Sequence, residues 1–169
     1  MEENKTFGLI DFVERNFDSI KKLELIAFVI FIIGFLLYEF KVSNSNIILV
    51  IGIISTAISL FLQSFKMIDY EDLESYNLLG SIPFINFLYK LYFYSLSVSM
   101  LSFIEFVYTF KKGNTFAFIG GTTLITVLIL TFFSKIQNKS KVYDLKFYFR
   151  ILICFLFLGI LAVEKGIIK

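Results

Sequence analysis

Residues 47–65 read IILVIGIISTAISLFLQSF. This stretch holds no charged side chain and has the length, roughly 17–25 apolar residues, that a helix needs to cross the hydrocarbon core of a bilayer. At helical spacing Gly52, Ser55, Thr56, Ser59 and Gln63 project within one narrow arc. Helices in lipid associate through close backbone approach and interhelical hydrogen bonds, so small and weakly polar residues mark their contact faces. The stretch reads as a membrane span with its Gly52–Ser55–Ser59 face turned to neighbouring helices. Gln63 lies near the end of the span, within reach of the interface, and adds little to this reading.

Four further stretches have the same character: Leu23–Phe40, Leu91–Phe110, Phe116–Phe133 and Phe147–Val163. The last is shorter and carries Arg150 near its start. An arginine there can keep its stem in lipid while its guanidinium reaches the headgroups. The composition agrees. Hydrophobic residues make up 57% and charged residues 18%, against about 25% charged in ordinary globular proteins. No histidine and a single cysteine exclude most metal sites, histidine acid–base chemistry and a disulfide framework. Sixteen basic against fourteen acidic residues leave a net charge of +2, too small an excess for a nucleic-acid partner. The expected fold is all-α: an integral membrane bundle of five transmembrane helices.

Positive charge sets the expected orientation. Lys5, Arg15, Lys21, Lys22, Lys66, Lys90, Lys135, Lys139, Lys141, Lys146 and Arg150 fall on one side of the five spans. Lys41, Lys111, Lys112, Lys165 and Lys169 fall on the other. The bias predicts a multi-pass protein of the inner (plasma) membrane with its N-terminus in the cytoplasm. Tyr38, Tyr89, Tyr92, Tyr94, Tyr108, Tyr143 and Tyr148 fall near span ends, where interfacial aromatic belts lie. Residues 1–22 are charged throughout, with no small-residue cleavage motif after the first apolar run, so that run is expected to be an anchor.

Within this leading segment, residues 7–22 form an amphipathic pattern. Leu9, Ile10, Phe12, Val13, Phe17 and Ile20 share one arc, opposite Asp11, Glu14, Arg15, Asp18, Lys21 and Lys22. Asn16 interrupts the apolar arc. Such a helix can lie on the inner headgroups or dock on a partner's helix. Asp69, Glu71, Asp72 and Glu74 lack the glycine turn and spacing of a calcium loop and read as a solvated acidic connection. Ser81-Ile82-Pro83 then has the signature of a helix start.

An internal repeat emerges when residues 31–58 are laid over 99–126, an offset of 68. Phe35 meets Phe103, Asn46 meets Asn114, Ile51 meets Ile119 and Gly52 meets Gly120. Small residues also fall on small ones: Gly34 on Ser102 and Ser55 on Thr123. Each unit holds two spans, so the copies would be parallel, related by an axis along the membrane normal.

The run Gly34-Phe35-Leu36-Leu37-Tyr38-Glu39-Phe40-Lys41, followed by Asn46 and Ile51-Gly52, resembles a hairpin common in small uncharacterised membrane proteins of Bacteroidetes. The hairpin is similar in style to the membrane anchor of GldL, the gliding-motility and type IX secretion motor subunit. The resemblance covers about 30 residues and implies a bacterial inner-membrane hairpin. One departure limits what it implies. The motor subunit's second span carries a membrane-embedded acid, whereas residues 47–65 carry no charge, so proton-driven motor function does not transfer.

Two features compete for function. Ser95, Ser99 and Ser102 form a stripe on the third span, continued by Thr109, and Gly120, Thr123, Thr131 and Ser134 share a face of the fourth. Such stripes serve helix packing, because hydroxyls satisfy one another or backbone carbonyls; they could otherwise line a water-filled path. Glu105 lies inside the third span, where a carboxylate is costly and marks a candidate functional group. Lys111 or Lys112 could instead cap it. Glu39 and Glu164 adjoin lysines and read as interfacial ends, and Cys154 as a packing residue. No nucleophile–base or phosphate-handling motif is present, so neither enzymatic activity nor a cofactor is expected. The expected function is a non-enzymatic structural or accessory subunit, bound to the bilayer and to another membrane protein or a second copy. The alternative is a small ion- or proton-coupled transporter or channel working through Glu105.

Overall fold

The computed structural model describes residues 8–66, 82–108, 114–137 and 145–164. Within these ranges the chain is helical. The helices are α1 (Leu9–Arg15), α2 (Phe17–Glu39), α3 (Ser45–Gln63), α4 (Ile82–Tyr108), α5 (Asn114–Gln137) and α6 (Leu145–Glu164). The serine–proline signature falls at the edge of the described residues: α4 is described from Ile82, and Ser81 lies outside them. Among the described residues two helical stretches, Ser45–Gln63 and Pro83–Ile104, are long and apolar enough to cross a membrane; Phe118–Phe133 and Phe147–Leu156 are shorter apolar stretches.

The expected single helix over 7–22 is broken at Asn16, which leaves helical geometry at φ −111°, ψ 15°. Its side-chain amide donates to the Phe12 carbonyl at 2.9 Å, and its backbone N–H bonds the same oxygen. Asparagine competes in this way for carbonyls that a continuing helix would use. Residues 17–22 thus belong to α2, which runs on without a break to Glu39. The amphipathic arc is also divided. Val13, Phe17 and Ile20 are buried against Leu62 and Phe65 at the end of α3, while Leu9 and Phe12 stay exposed.

Between α2 and α3 the chain reverses through two left-handed residues, Lys41 (φ 54°) and Asn44 (φ 61°). The Lys41 N–H bonds the Tyr38 carbonyl and the Val42 N–H the Leu37 carbonyl, so the last carbonyls of α2 are satisfied by a Schellman closure. The tight turn sends α3 back along α2. Contact there is backbone to backbone: a Cβ added to Gly52 would lie 2.5 Å from the Phe31 Cα, and one added to Gly34 would lie 2.6 Å from the Leu49 Cα.

The second hairpin repeats this crossing. A Cβ added to Gly120 of α5 would lie 2.9 Å from the Ser99 Cα of α4. That pair is Gly52–Phe31 moved along the chain by the repeat offset of 68, from 52 to 120 and from 31 to 99. The repeat read from small residues therefore reappears as the same close approach in both hairpins.

Helices α3 and α4 pack along each other and join the hairpins, and α6 rests more sparsely on α4 and α5. The shared core includes Phe31 of α2, Leu49 and Ile53 of α3, Phe93 and Phe103 of α4, Leu124 and Val127 of α5, and Ile151 of α6. Its outside is apolar too. Leu25, Ile26, Val29 and Ile33 on α2, Ile51, Ile54 and Ile58 on α3, and Phe149, Leu152 and Leu156 on α6 are all exposed. Thr56, Ser59, Gln63, Ser95, Ser99, Ser102 and Thr131 are buried instead.

Candidate functional site

Where α2, α4 and α6 begin and α3 ends, the bundle gathers its charged interior. Glu24 sits two turns into α2, Gln63 is the last residue of α3, and Arg150 lies in the second turn of α6. Arg150 Nη2 donates to Glu24 Oε2 at 2.7 Å, and Gln63 Nε2 donates to the same oxygen at 2.8 Å. The carboxylate is 13% exposed, the guanidinium 35% and the glutamine residue 1%. A second face of Arg150 covers the Phe93 ring, 5.5 Å from its centroid. Hydrogen bonds to ionised groups are shorter and stronger than neutral ones, so this three-residue knot ties α2, α3 and α6 together. It is braced by Tyr92, whose hydroxyl donates to the Phe147 carbonyl at 3.1 Å while its ring stacks on Phe147 at 4.0 Å.

The knot stands at one end of a cavity of about 900 Å³. Lys21, Glu24, Gln63, Lys66 and Arg150 line its polar end, and Phe28, Leu60, Leu96, Met100, Ile153 and Cys154 line its apolar walls. Both lysine ammonium groups stand over the ring of Phe17, at 4.5 Å for Lys21 and 4.2 Å for Lys66. Leu25 on α2 and Phe149 on α6 form opposite lips and are exposed. The cavity therefore opens sideways, between α2 and α6. Cations, directed hydrogen-bond donors and apolar walls make it suited to binding, with a net positive polar end.

Three residues sit differently from their expected places. Arg150 is tied to Glu24, because a carboxylate at the same level offers it a partner, and about a third of its side chain stays exposed. Gln63 is fully engaged in the interior rather than reaching an interface. Tyr92, assigned to an aromatic belt, is buried, with its hydroxyl satisfied by Phe147. Glu24 carried no functional expectation. The available signal was one acid and one base, each at the start of an apolar stretch of the same direction.

The expected packing faces are inward. Gly52, Ser59 and Gly120 are buried, and Ser55 and Thr123 half-buried. Ser59 donates to the Thr56 carbonyl, Thr123 to the Ile119 carbonyl, Ser95 to the Leu91 carbonyl and Ser102 to the Ser99 carbonyl. Ser99 is buried beside the Cys154 thiol, and its hydroxyl has no oxygen or nitrogen partner among the described residues. Glu105 occupies α4, but its side chain lies outside the described residues, as do Thr109, the side chain of Ser134 and the acidic run at 69–74. Comparison of the chain with protein-family models, curated proteins and solved structures gives no match.

Proposed function

We propose that this chain is a five-span protein of the bacterial inner membrane, with its N-terminus in the cytoplasm, acting as a non-enzymatic accessory subunit. The observation that carries the reading is the inverted distribution of polarity. Large aliphatic and aromatic residues cover the outside of α2, α3 and α6, while Thr56, Ser59 and Gln63 of α3, Ser95, Ser99 and Ser102 of α4 and most of the Glu24 side chain are turned inward. In water such a surface would be an aggregation hazard; in hydrocarbon it is the favourable one. The alternation of helix direction also supports an odd number of crossings, since the starts of α2 and α6 meet at one end.

The accessory role follows from what the interior offers. Two of the three stripe serines, Ser95 and Ser102, bond carbonyls of their own helix, which supports a packing face for α4. The sparse seating of α6 leaves its outer face for a second membrane protein or a second copy. The hairpin resemblance to a secretion-motor anchor suits such a subunit. Purification in mild detergent tests this: a stoichiometric co-purifying membrane protein is expected. A lone chain whose liposomes pass protons or sodium, with the flux lost in Glu105→Gln, would overturn it in favour of transport.

A further inference from the structure

Resting on this membrane reading, we propose that the cleft between α2 and α6 binds one anionic phospholipid of the inner leaflet. Its phosphate is held among Lys21, Lys66 and Arg150, and one acyl chain lies along Leu96 and Met100. Charge complementarity identifies the occupant. Three cations and one carboxylate line the polar end, and the carboxylate is already bonded to Arg150 and Gln63. Neither lysine has a carboxylate within ion-pair distance among the described residues, yet both ammonium groups converge on the Phe17 ring. Two cations drawn to one ring repel each other, and an anion placed between them relieves that repulsion. A phosphodiester supplies that anion, and Arg150 has a fork of donors to add.

The rest of the cleft fits a tail. From Tyr89 to Met100 on α4 the lining passes from polar to apolar, over roughly 16 Å at the helical rise. The volume, about 900 Å³, lies within the range of small-molecule sites, enough for a headgroup and part of one chain. The mouth faces sideways past Leu25 and Phe149, where the acyl region of a bilayer would adjoin it, and the cations stand at the cytoplasmic level, where anionic lipids concentrate. A water-soluble anion would have no use for the apolar walls or the lateral opening.

The chain contains no tryptophan, so Phe28→Trp places a single indole in the cavity wall. In phosphatidylcholine vesicles, brominated phosphatidylglycerol should quench that indole at a roughly tenfold lower mole fraction than brominated phosphatidylcholine. Adding Lys21→Gln and Lys66→Gln should abolish the preference. Equal quenching by the two lipids, or quenching by neither in correctly inserted protein, would overturn the proposal; the second outcome would mean that protein fills the cleft. A chain extracted from the vesicles by alkaline carbonate would instead contradict the membrane reading. Should Phe28→Trp not fold, the unsubstituted protein in detergent decides: phosphatidylglycerol should raise its thermal midpoint more than equimolar phosphatidylcholine does, and no difference would overturn the site.

Discussion

Glu24 and Arg150 stand 126 positions apart in the chain and meet at 2.7 Å. Arg150 is about a third exposed, so solvent screens part of the attraction. Glu24 is the deeper partner and also receives Gln63. Removing the carboxylate's charge leaves the guanidinium facing Phe93 and an uncharged acceptor, so Glu24→Gln should lower stability by about 1–2 kcal/mol. Arg150→Gln should cost a similar amount, about 1–2 kcal/mol, and the double variant clearly less than the two together. Unfolding in detergent across this cycle measures the coupling, and strict additivity would mean the contact stabilises nothing. The pair also marks a limit of reading helices one at a time. Arg150 alone suggests a side chain bound for headgroups, and Gln63 alone a helix end reaching water. Their roles exist only once α3 and α6 are placed against α2, which no local spacing encodes.

At the scale of the element, small residues were the legible signal. Gly52 and Gly120 appear in the sequence as small positions on apolar helices, matched by the repeat, and each proves to be where two backbones meet. The severity of substitution differs between them. At Gly52 an added Cβ meets Phe31 backbone atoms at 2.5 and 2.6 Å, whereas at Gly120 the nearest backbone atoms stand at 2.9 Å and the closest contact is the movable hydroxyl of Ser99. Gly52→Ala should therefore cost about 2–3 kcal/mol and Gly120→Ala about 1 kcal/mol, within the range for overpacked sites. Thermal midpoints in detergent would report the order, and a larger effect at Gly120 would contradict it. The α2–α3 turn carries a correctable strain. Lys41 holds φ 54° at the Schellman position that glycine usually occupies, so Lys41→Gly should raise stability by about 0.5–1 kcal/mol. The break at Asn16 was half-legible: its polarity disturbed the apolar arc, but nothing local showed that its amide would take the Phe12 carbonyl.

For the whole molecule, what the sequence conveyed was the alternation of long apolar helices and the inward direction of their small faces. The cleft lay beyond it, because its walls come from four helices and its opening depends on how sparsely α6 is seated. We propose that these helices cross a membrane five times from a cytoplasmic N-terminus. Paired reporter fusions test it most directly: one joined before Met1 and one after Lys169, each with a reporter active only in the cytoplasm and one active only after translocation. Cytoplasmic activity is expected at the N-terminus and translocated activity at the C-terminus. Cytoplasmic signals at both ends would contradict it.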